Sequence, residues 1–419
     1  MEQKVNEVYQ PLFTQHPRYF ILIGGRGAGR STVVSQFANA KLIAPEYFRC
    51  AIMRYILSDI RNSIYREIKD RAEENEIKEG LDINESLMSI TYGANSINAV
   101  GFRKASGDQK SKLKSLASYN CVIIEEADEI PEDDFMQLDD SLRTIKGDIM
   151  IILLLNPPAK NHWIIKRWFD LEKSEQKGYF IPKLKESARD TLAIISDYHI
   201  NEANIAPASI IQYEAYKDTK PAHYYNMIKG YVPETVVGRI YNFTEIAEIP
   251  PEARLKRRGL DYGYSNDPTG IVDVYVWNNS FIWDEVCYRK KMSNKDIADV
   301  LKLQEDVLLI PDSAEPKSND ELKSYGISLV PSHKGPGSVN QGIQYVQGQT
   351  VYYTKRSIHI KEEQENYAWM IDKTTGETIN TPIDMWNHIL DAGRYAMESL
   401  KPIEQQSVPT YQRQKWGIG

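Results

Sequence analysis

The run Gly24-Gly25-Arg26-Gly27-Ala28-Gly29-Arg30-Ser31-Thr32 constrains this chain more than any other feature. It follows the apolar stretch Tyr19-Phe20-Ile21-Leu22-Ile23 and precedes Thr32 to Leu42, which reads as helix. Strand, glycine-rich turn and helix in that order form the setting in which such a run means a phosphate-binding loop. The glycines let backbone N–H groups turn toward an anion, and the helix N-terminus adds partial positive charge. Ser31 stands where a hydroxyl would ligand the Mg²⁺ of a nucleotide. One position departs from the pattern: Arg30 takes the place of the usual lysine. A guanidinium meets phosphate as a planar fork rather than a compact point charge, so nucleotide binding is expected to survive and hydrolysis to slow. On its own the run is equally consistent with a structural turn, and the downstream pattern carries the functional reading.

That pattern alternates short apolar and helical segments. Phe48 to Tyr55, Ser89 to Tyr92 and Ile97 to Phe102 read as strands, and Asp59 to Glu73 as a helix. Cys121-Val122-Ile123-Ile124 then runs into Glu125-Glu126. Carboxylates at the C-terminal end of a parallel strand point into the crevice where ligands bind. Beside a phosphate loop, Glu125 would hold Mg²⁺ and Glu126 would orient or deprotonate the attacking water. An acidic helix start is the competing reading. Ile149 to Leu155 is a further buried strand, ending in Asn156-Pro157-Pro158. Asn156 is placed to sense a γ-phosphate, or it is a plain turn exit. Arg26, inside the loop, would neutralise transition-state charge as an arginine finger in cis, or pack over a nearby carboxylate. Arg54 and Arg61 are candidates for phosphate or DNA contacts, or for surface ion pairs.

With 419 residues, 42% of them hydrophobic, the chain can build two cores. Its net charge of −7 gives no overall positive field, so any nucleic-acid contact must be local. Arg103 to Lys114, Arg254 to Arg258 and Arg289 to Lys295 are the basic stretches available, each also readable as a solvated face. Cys50, Cys121 and Cys287 are widely spaced, which fits a reducing compartment and offers neither a disulfide framework nor a cysteine zinc site. Met1 to Pro11 lacks the apolar core of a signal peptide, and no apolar run approaches membrane-spanning length.

After Pro250-Pro251 the pattern changes. Gly259-Leu260-Asp261 ends one strand, and Gly270 to Trp277 and Phe281 to Tyr288 form a hairpin across Asn278-Asn279. Ser293 and Asp296 are placed to cap the next helix. Val307 to Ile310 leads to Asp312, and a late helix carries His388 and Asp391, three apart and so on one face. This order fits an RNase H-like fold, in which carboxylates converge on two divalent ions that cleave a phosphodiester. Oxygen ligands suit Mg²⁺ or Mn²⁺, and His388 is either a ligand leaning toward Mn²⁺ or a supporting residue.

From about Tyr9 to Met397 the chain resembles the large terminase subunit of tailed double-stranded DNA bacteriophages, of the PBSX/SPP1-like branch. The likeness rests on Tyr19 with Gly24 to Thr32, Val122 to Glu126, and Asn156-Pro157-Pro158 with His162-Trp163. It continues in Leu260-Asp261-Tyr262-Gly263 with Asp267-Pro268, Asp312-Ser313-Ala314-Glu315-Pro316-Lys317, Lys334-Gly335 with Ser338, and Asn387-His388 with Asp391-Ala392 and Arg394-Tyr395. The resemblance implies an α/β protein: a P-loop ATPase domain of the ASCE type over 1–180, a lid subdomain over 181–245, an RNase H-like nuclease over 246–402 and a loose tail over 403–419. The lid segment, Ile181 to Phe243, reads as helical and tyrosine-rich.

By the same likeness, Gly24, Gly25, Arg26, Gly27, Ala28, Gly29, Arg30, Ser31 and Thr32 bind ATP with Mg²⁺. Glu125 and Glu126 form the acid pair and Asn156 belongs to the coupling motif. Asp261, Asp312 and Asp391 bind the nuclease metals beside His388. The implied partners are double-stranded DNA, a small terminase subunit, the portal of an empty capsid and further copies of the chain in a ring, with no membrane. The implied location is the host cytoplasm, with transient docking at the portal and absence from the mature virion. Two other readings stay open: a nuclease whose nucleotide module only docks, and a helicase–nuclease of DNA repair.

Overall fold

Strand β1 (Tyr19–Gly24) is buried from Phe20 to Gly24, as a strand covered on both faces must be. Its residues alternate sides. Phe20 and Leu22 pack with Val33, Phe37 and Ile68 on one face, whereas Ile21 and Ile23 pack with Phe135, Trp163 and Trp168 on the other. The computed structural model describes residues 5–74, 77, 79–103, 113–263, 267–372 and 377–400. The chain divides into two units, Met1–Val237 and Gly238–Gly419.

The strands of the first unit are β1, β2 (Arg49–Ile56), β3 (Asp82–Asn84), β4 (Ser89–Tyr92), β5 (Asn95–Arg103), β6 (Cys121–Glu125), β7 (Met150–Leu155), β8 (Phe169–Lys173), β9 (Tyr179–Leu184), β10 (Thr191–Ser196) and β11 (Val232–Pro233). Eight of them form one sheet in the order β10-β1-β7-β6-β2-β5-β4-β3. From β10 to β5 every pairing is parallel, and β4 and β3 add an antiparallel edge. β7 is therefore inserted between the strand that leads into the glycine loop and the strand that ends in the acid pair. The loop, Asn156 and Glu125 all lie at the C-terminal edge of the sheet, where parallel α/β sheets bind ligands. The helix after the loop, Arg30–Ile43, ends at Ala44, because a residue before proline is pushed out of helical geometry.

The second unit holds β12 (Thr244–Ile246), β13 (Arg254–Asp261), β14 (Thr269–Trp277), β15 (Ser280–Arg289), β16 (Leu309–Pro311) and β17 (Val351–Thr354), in the order β12-β17-β15-β14-β13-β16. β13, β14 and β15 form an antiparallel meander, and β16 pairs parallel with β13. A parallel bridge from Leu309 to Leu329 extends that edge. Asn278 and Asn279 both take positive φ, 46° and 59°, as the two-residue turn requires. Ser293 and Asp296 form a reciprocal capping box on the helix Asn294–Lys302. The helix His388–Glu398 lies on the sheet at Gly259, where a Cβ would sit 1.8 Å from the Ala392 carbonyl oxygen. Only glycine allows that approach, and it brings Asp391 beside the end of β13.

Several expectations need correction. The division falls at 237/238 rather than 245/246. The 181–245 segment is not helical throughout. Its first part completes β9 and supplies β10, which pairs with β1, and the helical part runs from Tyr198 to Ile228. Thr191–Ser196 is only six residues long and becomes a strand by pairing with β1. Arg258, expected in a basic stretch on the surface, is 2% exposed and paired with Asp273 across the strands at 2.5 and 2.8 Å. The basic stretch from Arg103 to Lys114 lies largely outside the described residues, as does the tail from 403 to 419.

Candidate functional site

The glycine loop is held from behind. Gly25 N–H donates to the Ser196 carbonyl at 2.9 Å and Arg26 N–H to the Met227 carbonyl at 2.7 Å. The Tyr9 hydroxyl donates to the Ala28 carbonyl at 2.7 Å, and Asn201 Nδ2 donates to the Gly27 carbonyl at 2.8 Å. These contacts fix a loop whose Gly29, at φ +79°, is the left-handed cap of the next helix. The amides of Gly27, Ala28 and Gly29 have no backbone acceptor among the described residues, which leaves them for an anion. Ser31 is exposed, whereas Thr32 hydrogen-bonds Glu67 Oε1 at 3.3 Å.

The two loop arginines differ. Arg26 has no side-chain hydrogen bond or ion pair among the described residues, so it is not packed over a carboxylate. Its charge reaches His223, whose ring is held below the usual range by burial first and by Arg26 second. Arg30 is engaged by neutral acceptors: Nη2 donates to the Gly25 carbonyl at 3.1 Å and to Asn156 Oδ1 at 2.7 Å, and Nη1 donates to the Leu155 carbonyl. Burial pulls this guanidinium down to about 10.

The acid pair follows β6. Glu126 takes a left-handed φ of +53°, uncommon for a residue with a side chain, which turns the chain sharply there. Arg54, at the end of neighbouring β2, stands among the acids: 3.9 Å from Glu125, 3.2 Å from Glu126 and 3.7 Å from Glu129. Glu125 Oε2 is buried with no hydrogen-bond partner, an orphan acceptor of the kind a cation satisfies. Burial raises Asp128 to about 6, and burial with the charge of Asp128 raises Glu129 to about 7. Arg54 is thus part of this cluster rather than a surface ion pair, while Arg61 donates to the Glu85 carbonyl at 2.9 Å.

In the second unit, Asp261 ends β13 and Asp312 follows β16, its parallel neighbour; Asp312 N–H donates to the Leu260 carbonyl at 3.0 Å. Asp391 stands on the first turn of His388–Glu398. Burial holds the Asp261 carboxyl above its usual range; His388 opposes that shift, and the charges of Asp391 and Asp312 add to it. Asp261 therefore feels the charge of both other acids. Each also has a basic partner: Asp261 with His388 Nδ1 at 3.2 Å, Asp312 with Lys334 Nζ at 2.6 Å, and Asp391 with Arg394 Nη2 at 2.8 Å. Burial disfavours charge on His388, but the bond and charge of Asp261 outweigh it and raise the ring to about 8.

With the carboxylates turned to these partners, no three His, Cys, Asp or Glu residues among those described close around one point as a metal cage. The donor set is nevertheless hard oxygen at an excess of like charge, which suits Mg²⁺ or Mn²⁺.

Sequence reasoning missed the residues that hold these groups in place. Glu363, 1% exposed, accepts from the amides of Ile389 at 2.9 Å and Leu390 at 3.1 Å, and so caps the helix that carries His388 and Asp391. Burial raises its carboxyl to about 7. Lys334 and Arg394 lay inside the strings that carry the resemblance, yet nothing local named their partners. Tyr9 and Asn201 are far in sequence from the loop they brace.

The family model described as phage terminase large subunit matches residues 16–231, and that of the terminase RNAseH-like domain matches residues 261–399. The large terminase subunit of Bacillus phage SPP1 is 26% identical over 423 residues, covering 92% of each chain. The PBSX phage terminase large subunit of Bacillus subtilis (strain 168) is 24% identical over 413 residues, covering 93% of this chain and 92% of that one. Among solved structures, the HK97 bacteriophage large terminase aligns over 91% of both chains with a TM-score of 0.49 and 11% identity.

Proposed function

This chain belongs to the phage terminase large-subunit family, and on that premise we propose that its first unit hydrolyses ATP to move double-stranded DNA into a capsid and its second unit cuts that DNA endonucleolytically. The observation that carries the reading is one chain with two groups of site residues. The glycine loop, Glu125, Glu126 and Asn156 share the C-terminal edge of a parallel sheet, and Asp261 and Asp312 follow neighbouring parallel strands, with Asp261 feeling the charge of Asp312 and of Asp391 on the helix from His388.

In the first unit the loop amides from Gly27 onward would cradle phosphate, and the Ser31 hydroxyl with Glu125 would hold Mg²⁺. Glu126 would orient or deprotonate water once released from Arg54. Arg26, the loop cation without a partner, would face the γ-phosphate. In the second unit Asp261, Asp312 and Asp391, with His388, would hold two divalent cations, which supply activation of water and stabilisation of the leaving oxygen. Arg394 anchors Asp391, Glu363 fixes the helix, and Lys334 is placed to meet a DNA phosphate when a metal takes over Asp312. A small terminase subunit, the capsid portal and sister copies in a ring are the partners that fit this activity. The host cytoplasm and the portal are its place of action, outside the mature virion.

A second reading, a nucleotide module that docks without turnover, is favoured by the full engagement of Arg30. Glu126→Gln decides between them. Loss of at least about 100-fold in ATP turnover, with nucleotide still bound, is expected for a hydrolytic site that loses its base. Absence of turnover in the unaltered protein, with DNA and Mg²⁺ present, favours docking.

A further inference from the structure

Arg30 occupies the position at which a phosphate loop normally presents a lysine to its ligand, and its side chain is bound by the loop start and the strand ends. The fork runs beneath the loop to the ends of two strands. Nη2 binds the Gly25 carbonyl, at the start of the loop, and Asn156 Oδ1, in the turn after β7. Nη1 binds the Leu155 carbonyl, the last residue of β7, with a longer 3.5 Å approach to the Leu22 carbonyl of β1. β1 and β7 are direct neighbours, paired in register from Tyr19 to Ile23 and from Ile151 to Leu155. One planar group thus joins the start of the loop to the exit of the strand that carries Asn156.

Chemistry explains why arginine suits that task. A guanidinium offers five N–H donors in a fixed plane and reaches separate acceptors at once, whereas an ammonium radiates three donors from a single point. Every hydrogen-bond acceptor here is a neutral carbonyl or amide oxygen, and the charge of Asp128 attracts the side chain without bonding it. Its donors meet the carbonyls where the strands end and the amide beyond them. The loop meanwhile keeps a second cation, Arg26, whose side chain is engaged by nothing among the described residues.

We propose that Arg30 is a positioning residue rather than a phosphate ligand: it bolts the glycine loop to the Asn156 turn, so that movement of the loop on nucleotide binding is carried into the exit of β7. The proposal rests on the nucleotide-binding reading of the first unit. Arg30 then acts through Asn156, and Arg26 supplies the charge that meets the phosphates.

The test is a double-mutant cycle on the full chain with Arg30→Lys, Asn156→Ala and both together. A fluorescent ATP analogue reads nucleotide affinity and steady-state hydrolysis reads turnover. Plasmid cleavage by the second unit serves as the folding control. A bolt predicts that Arg30→Lys lowers kcat by about tenfold while nucleotide affinity stays within about threefold, and that the double variant is no worse than the poorer single one. The proposal is overturned if Arg30→Lys raises turnover, if it weakens nucleotide binding about tenfold with kcat kept, or if the two effects multiply. Should the unaltered chain bind nucleotide without hydrolysing it, the ATPase reading fails alone, and the same cycle is read in thermal unfolding, where additive shifts overturn the bolt.

Discussion

At the scale of the residue, the nuclease acids are distinguished by their company. Asp261, Asp312 and Asp391 each face a cation from their own chain, and the three cations are not equivalent. Arg394 is 2% exposed and also bound to Glu398 Oε2 at 3.3 Å, so it is a fixed strut. Lys334 is half-exposed, packs over the Tyr395 ring at 5.6 Å and is the partner free to leave. On the proposed reading, Lys334 would compete with a metal for Asp312. Lys334→Ala is expected to tighten Mn²⁺ binding without DNA by about two- to fivefold, the worth of a half-exposed ion pair, as read by titration calorimetry. Weaker Mn²⁺ binding in that variant would contradict the competition. The positions of these acids on the fold were legible in the sequence, because each ends or follows a strand or opens a helix with a recognisable apolar pattern. Their partners were not. Lys334 meets Asp312 across 22 residues and Glu363 meets Ile389 across 26, and a hydrogen bond over such a separation leaves no local periodicity to read.

At the scale of the element, the helix His388–Glu398 is the part on which the second unit turns. It buries Ile389, Leu390, Ala392, Tyr395, Ala396 and Met397 against the sheet, and it comes close only because Gly259 has no side chain. Gly259→Ala forces the helix off β13. It should destabilise this unit by about 3 kcal/mol, seen as an earlier step in thermal unfolding, with ATP turnover kept. A Tm unchanged in both steps would show that the contact is loose.

A second element, the helix Ile358–Asn366, is joined to β15 by His359, which bonds Glu285 Oε1 at 2.6 Å and stacks on Tyr288 at 4.1 Å. The bond to Glu285 raises the His359 ring above its ordinary 6.5. A raised histidine contributes stability that is complete below pH 6.5 and disappears as pH rises through the higher folded value. The second unit should therefore unfold at a lower temperature as pH climbs through that window, and His359→Gln should lessen the dependence, leaving the part due to His388 and Glu363. Gly259 was visible in the sequence only as a residue before Leu260-Asp261, since the helix that requires it begins more than a hundred positions later. β10 was hidden for a different reason: its six residues are short, and it becomes a strand by pairing with β1.

At the scale of the whole molecule, two units carry two chemistries. In the first, the loop, the acid pair and the strands that carry them were legible, because these motifs sit at strand ends where the chain must turn, whereas β8 to β11 were not. The boundary at 237/238 was less legible, since no proline or glycine cluster marks it, whereas Pro250-Pro251, the more conspicuous signal, lies inside the second unit. No helix of the described residues is long and apolar enough to cross a membrane. On the proposed reading, one chain holds two active sites that work independently. The most direct measurement of that is supercoiled plasmid cleavage in Mn²⁺ and ATP hydrolysis in Mg²⁺, made side by side on Asp261→Asn and Glu126→Gln. The account predicts that Asp261→Asn stops cutting and keeps hydrolysis, and that Glu126→Gln does the reverse. Cutting that persists in Asp261→Asn would contradict it.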